Sequence, residues 1–341
     1  MTTEPIPLII GLGGLNVDYV VSDADWASMP AAAREAARAH LDPGAERLID
    51  EADFRRIRRA FPAELVHVRA GGSSFNAVRA LRALRADVDL SFIGCQGEAA
   101  VLDQAFDAFG IPRTHIRRVA DVEPGSCMAI QEGEERHLLT TRGANDQVAV
   151  MLAAQPGAMV EAAASATIVH VSSLLDPDAP AMLLDVLSRA KALNPGLTIS
   201  FDPGSQWTWR ETRNPAVRQL FDLADLLFLN RAEGSLARRG GLLKGFRGTA
   251  FLKARDVVSI VRSDGARDRV EIEALHGSLV RDSVGAGDVF AAGVLALLSS
   301  KPGNQIAAVR LGIAAASRKL ACPAPFGPTA FRDLWRADFA A

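Results

Sequence analysis

Between residues 167 and 230 the chain runs "TIVHVSS", "APAMLLDVLSRAKAL", "LTISFDPG", "PAVRQLFDLA" and "DLLFLN", short apolar strands alternating with helices. Strands that are apolar along their whole length are buried on both faces. Their alternation with helices demands a parallel sheet with helical layers on either side. The N-terminal "IPLIIGLGGLNVDYVV" adds a buried strand, a Gly-rich turn and a second strand, and "DLSFIGC" adds another. "VVSIVRSDGA" and "RVEIEAL" are further strands, and two helices, near 286–299 and 304–320, close the pattern. Residues 31–61 have helical patterning broken near "LDPGAE", and Ser73 is expected to cap a helix carrying Phe75, Val78, Leu81 and Leu84. One main domain is expected, with a small β-rich appendage from about 15–24 and 115–142.

Sheets of this kind bind ligands beyond the carboxyl ends of their strands. Asn16, Asp18, the segment from Gly71 to Asn76, Asp202, Asn230 and the turn from Gly285 to Asp288 all fall at such positions.

Composition narrows the partners. Thirty-eight basic against forty acidic residues leave a formal charge of −2, with no field to draw nucleic acid or an acidic membrane. No apolar run is long enough to cross a bilayer, and the N-terminus lacks a basic leader region. Cys95, Cys127 and Cys322 are scattered without metal spacing, which fits a reducing, cytoplasmic setting. Six histidines show no ligand spacing, and the run Arg55–Arg59 reads as a solvated helix face.

The stretch "DSVGAGDVF" carries the clearest chemistry. Small residues at a helix start let the amides of Ala286, Gly287 and Asp288 converge, and the helix dipole adds positive potential. Such a nest suits a phosphoryl group in transfer, and Asp288 beside it could take a proton from an attacking hydroxyl. The alternative is a tight turn with Asp288 as an ordinary helix-start residue. The N-terminal "GLGGLN" invites a dinucleotide-binding reading, which fails because a strand-like "VDYVV" follows where a helix is needed.

"DSVGAGDVFAAGVLA" resembles the second signature of the ribokinase/PfkB family of sugar and nucleoside kinases, normally D-T-x-G-A-G-D, with Ser283 in place of Thr. The resemblance runs in order over nearly the whole chain. "GLGGLNVDYV" is similar to the family's first strand, with its N-x-D at Asn16 and Asp18. "AGGSSFNAVRAL" resembles the first signature, through Gly71, Gly72 and Asn76. "ERHLLTTRGAND" resembles the segment ending in G-A-N, and "LFLNRAE" the N-x-x-E motif, through Asn230 and Glu233.

The resemblance implies a ribokinase-like three-layer αβα sandwich in a single domain, a central mostly parallel sheet and a small β-sheet lid. It implies transfer of the γ-phosphate of ATP to a hydroxyl of a sugar or nucleoside. Asp288 would be the base, and the backbone of Gly285, Ala286 and Gly287 the anion hole. Asn16, Asp18, Gly71, Gly72, Asn76 and, as a further candidate, Arg142 would bind the acceptor. Asn230, Arg262, Gly265 and Asp282 would face the nucleotide, and Asn230 and Glu233 would organise Mg²⁺, largely through its waters. A monovalent cation site and a homodimer through the lid are open by analogy.

Two segments depart from the pattern. The family usually has Thr-x-Gly where the nucleotide binds; in "VVSIVRSDGARD" Arg262 falls near that Thr, either as a phosphate contact or as a solvated strand-end charge. In "FDPGSQWTWRE" Gly204 replaces a usual Asn, and Trp207 and Trp209 are read as packing residues, with stacking on a ligand as the alternative. The long insertion at about 25–66 resembles the adenosine-kinase branch, "TTRGAND" equally the sugar-kinase branch. A catalytically silent ligand-binding relative stays open because of the altered nucleotide loop.

Overall fold

The computed structural model describes residues 6–41, 46–85, 87–133, 135–210, 214–273, 279–322 and 325–338. Fourteen strands are described: β1 Leu8–Leu12, β2 Asn16–Val21, β3 Glu46–Leu48, β4 His67–Gly71, β5 Asp89–Gln96, β6 His115–Arg118 and β7 Gly125–Glu132. They continue as β8 Glu135–Thr141, β9 Ile168–Ser172, β10 Thr198–Asp202, β11 Leu226–Asn230, β12 Thr249–Lys253, β13 Val257–Arg262 and β14 Arg267–Glu271.

Nine strands form one large sheet in the order β14-β13-β12-β11-β10-β9-β1-β5-β6. From β12 to β6 every neighbour pair is parallel; β13 and β14 turn back as an antiparallel edge. The expected sandwich is present. Helices Ser73–Leu84, Ala286–Leu298 and Gln305–Leu320 share one apolar core with Phe75, Phe92, Phe228 and Phe290. On the opposite face, helices Val148–Ala154, Ala179–Leu193 and Pro215–Leu223 pack on Ile10, Val169, Ile199 and Leu227. Helix Ala286–Leu298 is buried from Val289 to its end, which explains why its sequence is apolar all round rather than striped.

The other five strands form a second sheet, β3-β8-β7-β2-β4. This corrects the expected appendage in two ways. It also takes in β3 and β4, and His115–Arg118 instead extends the large sheet as a parallel neighbour of β5. Both differences are long-range strand pairings, which local pattern does not encode. Helices Asp23–Ser28, Ala31–Arg38 and Glu51–Ala60 cover one face of the small sheet, where Trp26, Phe54, Ile57 and Phe61 pack on Val21, Met128, Ile130 and Leu139.

Strand β12 is missing from the sequence reading altogether. It is five residues long and lies between the glycine-bearing "LLKGFRG" and the charged "ARD". Its pairing with β11 at Leu226↔Thr249 and Asn230↔Lys253 sets the register that decides which residues reach the ligand end. No helix among the described residues is long and apolar enough to cross a membrane.

Candidate active site

The carboxyl ends of β1, β9, β10, β11 and β12 converge under the small sheet, and the start of helix Ala286–Leu298 enters the same space. Gly285 caps that helix with φ = 80°, a left-handed conformation costly to any residue with a Cβ. The first turn of a helix has no intrahelical acceptors for its amides: that of Ala286 donates weakly to the Ser283 carbonyl at 3.4 Å, and those of Gly287 and Asp288 have no backbone acceptor among the described residues. Gly287 is solvent-exposed and Asp288 half-buried, so the turn opens onto the site.

Asp288 is held from both sides. Ser73 Oγ donates to Oδ1 at 2.6 Å and Asn76 Nδ2 to Oδ2 at 2.9 Å. Burial pushes its carboxyl up to about 6, against the two hydrogen bonds that favour the anion. Asn76 in turn accepts from the buried Arg79, which also donates to the Ala70 carbonyl at 2.8 Å. Ser73 is thus not the cap of its helix. Gly72, at φ = 103°, holds that position, and the Ser73 hydroxyl is spent on Asp288. Nothing in the local pattern signals this, because the two residues are 215 positions apart.

The small sheet supplies the second carboxylate. Asp18 is 5 % exposed, and burial raises its carboxyl to about 7 despite the nearby Arg69 and Arg79. It occupies the space that a side chain at Gly71 would need: a Cβ there would stand 2.1 Å from the Asp18 carboxylate. Asn16, on the same strand, accepts from Asn145 Nδ2 at 2.8 Å, and Asn145 Oδ1 accepts from the Leu15 amide at 2.9 Å. Asn145, the Asn of "RGAND", therefore positions Asn16. Beyond them lies a polar cavity lined by Asn16, Glu46, Thr140, Arg142 and Asn145, with Leu174 and Leu175 among its apolar lining. Thr140 Oγ1 donates to Glu46 at 2.9 Å, and Arg142 sits 3.5 Å from Asp146.

On the other side stand Asp202, Glu233 and Lys253, at or just beyond the ends of β10, β11 and β12. Asn230 and Glu233 form a reciprocal capping box: the Glu233 amide donates to Asn230 Oδ1 at 2.9 Å and the Asn230 amide to Glu233 Oε2 at 2.8 Å. Burial, with Asp202 close by, raises the Glu233 carboxyl to about 7. Lys253 Nζ lies 3.4 Å from Asp202 Oδ2. No trio of His, Cys, Asp or Glu positioned to hold a metal exists among the described residues. Asn230 and Glu233, held by each other in this box, are the pair that would face the waters of a hydrated Mg²⁺ brought in on phosphate.

Two expected nucleotide contacts, Arg262 and Gly265, are placed elsewhere. Arg262 pairs with Thr249 at the amino end of β12, about 13 Å along the strand from Lys253. Its guanidinium is bound to Asp268 and Gln305, both at 2.6 Å. Gly265 lies in the β13–β14 turn at that same far end. The charge at the ligand end is Lys253, concealed from sequence reading because β12 was. Asp282 is engaged by Arg69 and Lys319, each at 2.5 Å, and accepts from the Val284 amide at 2.9 Å. It ties the loop before the glycine turn to the small sheet and to helix Gln305–Leu320. Trp207 is core, its Nε1 donating to the Leu174 carbonyl at 3.0 Å; the Trp209 side chain lies outside the described residues.

No curated protein matches the chain in sequence. Among solved structures it is similar to the adenosine kinase of Sinorhizobium meliloti, at TM-score 0.77 and 19% identity over 96% of this chain and 98% of that one. It is similar also to the Schistosoma mansoni adenosine kinase in complex with 2-fluoroadenosine, at TM-score 0.75 and 16% identity over 94% and 97%. A third is the Arabidopsis thaliana ribokinase complexed with ribose and ATP, at TM-score 0.69 and 19% identity over 97% of both chains. At these identities the likeness establishes a ribokinase-like fold. The sequence profile described as pfkB family carbohydrate kinase matches residues 51–239, more than half of the chain, including the Gly71–Asn76 segment and the Asn230–Glu233 box. With the two-sheet architecture and the glycine turn beside Asp288 already in place, that match makes the chain a member of the pfkB carbohydrate kinase family.

Proposed function

We propose that the chain is an ATP-dependent kinase that phosphorylates a hydroxyl, a primary CH₂OH, of a polyhydroxylated small molecule. The observation that carries this is Asp288, fixed by Ser73 and Asn76 in the first turn of a helix that opens on the left-handed Gly285. The acceptor hydroxyl gives its proton to Asp288 as its oxygen attacks the γ-phosphorus. The bond from that phosphorus to the bridging oxygen breaks, and ADP leaves with the electron pair. The amides of Ala286, Gly287 and Asp288 bind the phosphoryl oxygens as charge redistributes over them. Mg²⁺, when bound with the nucleotide, supplies charge neutralisation across its phosphates.

Asp18 would hold neighbouring hydroxyls of the acceptor, since a carboxyl can accept from a diol when ionised and donate when protonated. The far end of the acceptor would meet Asn16, Glu46 and Arg142. A cavity with amides, a carboxylate and a guanidinium favours a sugar over a nucleobase, which is better served by apolar and aromatic walls. A nucleoside acceptor is the second reading. It is favoured by the helices covering the small sheet and by the similarity to adenosine kinases. Purified protein with MgATP and a panel of sugars and nucleosides tests both. ADP release with sugars only supports the first reading, release with nucleosides only supports the second, and none with any acceptor removes the kinase assignment.

A further inference from the structure

The site holds one charged group that the mechanism above leaves unused. Lys253 ends β12 directly beside the glycine turn: its Nζ stands 3.5 Å from where a Cβ on Gly287 would be. The side chain is 18 % exposed, enough shelter to strengthen its field and enough opening to touch a solute. Below it lie the rings of Phe228 and Phe290, 5.9 and 6.0 Å from Nζ, which give the stem an apolar floor and the head one direction to face. Its carboxylate contact is loose, 3.4 Å to Asp202, compared with 2.5 Å for the Lys319–Asp282 pair nearby. An ammonium with three donors, only partly engaged and next to the start of a helix, is suited to an anion.

Resting on the kinase reading, we infer that Lys253 is a catalytic residue whose ammonium donates to the oxygens of the transferring phosphoryl group, completing the anion hole formed by the Gly285–Asp288 backbone. The ammonium keeps its protons throughout; the acceptor proton goes to Asp288 and the electron pair leaves with ADP. Burial alone would lower the basicity of Lys253, but Asp202, Glu233 and Asp288 outweigh it and hold its pKa above the usual lysine value, so the group is charged at neutral pH. The same placement explains Gly287: a side chain there would stand between the ammonium and the phosphate.

The test compares wild type with Lys253→Met, Lys253→Arg and the double variant Asp202→Asn/Lys253→Gln, using whichever acceptor the panel identifies. Loss of a preorganised donor to the transition state should slow turnover by about 10² in Lys253→Met, with the acceptor KM little changed. Lys253→Arg should recover part of that loss, because the charge is kept. If Lys253 only neutralised Asp202, the double variant would regain wild-type turnover; we expect it to remain slow. It also serves where Lys253→Met does not fold, since it removes both charges together. Wild-type turnover in Lys253→Met or in the double variant overturns the inference. If the wild-type protein phosphorylates no acceptor, the kinase reading fails by itself. Lys253 is then judged by titration with tripolyphosphate: affinity about tenfold weaker in Lys253→Met sustains an anion contact, and equal affinity refutes it.

Discussion

The two walls of the site are built differently. On the small-sheet wall the groups are fixed by direct bonds and close backbone approach: Asn145 donates to Asn16, and Gly71 makes room for Asp18 beside Arg69 and Arg79. On the wall made by the ends of β10 to β12 the groups are charged and balance one another: Asp202, Glu233 and Lys253, with Asp288 adjoining. A wall of closely packed, directly bonded groups gives a fixed shape, which suits recognition of an acceptor. A wall of partly compensated charges gives a field that an incoming polyanion can reorganise, which suits phosphoryl transfer.

Substitutions on the wall of β10 to β12 should act on rate, and those on the small-sheet wall on acceptor affinity. The largest effect is expected for Asp288→Asn, with turnover falling by about 10²–10⁴ while calorimetry still detects nucleotide and acceptor binding. Asp18→Ala should follow, with kcat/KM for the acceptor reduced by about 10², since hydrogen bonds to a charged partner are worth about 1.5–3 kcal/mol each. Asn145→Ala should raise the acceptor KM by about tenfold at unchanged kcat, as Asn16 loses its one fixed orientation. If Asn145→Ala instead lowers kcat alone, the division between the walls is wrong. The smallest effect is expected for Arg262→Ala, at the opposite end of the sheet. Its KM for MgATP should stay within about twofold of wild type, the range of a surface substitution remote from the site.

The charged groups also make stability depend on pH. Asp18, Glu233 and Asp288 have folded-state pKa values raised to about 7, 7 and 6. A carboxyl whose pKa is raised by folding binds its proton more tightly in the native state. Its contribution is present at low pH and is lost as pH rises through the folded value. Asp282 acts in the opposite sense: Arg69 and Lys319 overcome the effect of its burial and lower its pKa, so its contribution disappears as pH falls through that lowered value. Asp18→Asn should therefore raise Tm at pH 8 while impairing the acceptor site, a gain to be read by thermal unfolding across pH.

Much of this architecture is visible in the amino-acid order. Strand–helix alternation requires the covered parallel sheet, and Asn16, Asp18, Asn76 and Asp288 belong to compact motifs whose spacing is a local backbone matter. What is not visible depends on chain segments far apart. Arg69 meets Asp282 across 213 positions, and β4 joins the small sheet only by pairing with β2. Lys253 was hidden for another reason. Its strand is short and its neighbours are charged, so period and propensity both fail there, and the register of β12 on β11 alone places it at the ligand end.

The central claim is that Asp288 removes a proton from the acceptor, and the pH dependence of kcat in wild type and Asp288→Asn tests it most directly. With a folded pKa of about 6, the wild-type rate should rise with pH through that value as the carboxylate forms, then level off. Asp288→Asn should be slow throughout and lack that ascending limb. An Asp288→Asn enzyme that keeps both the limb and a near-normal plateau would contradict the account.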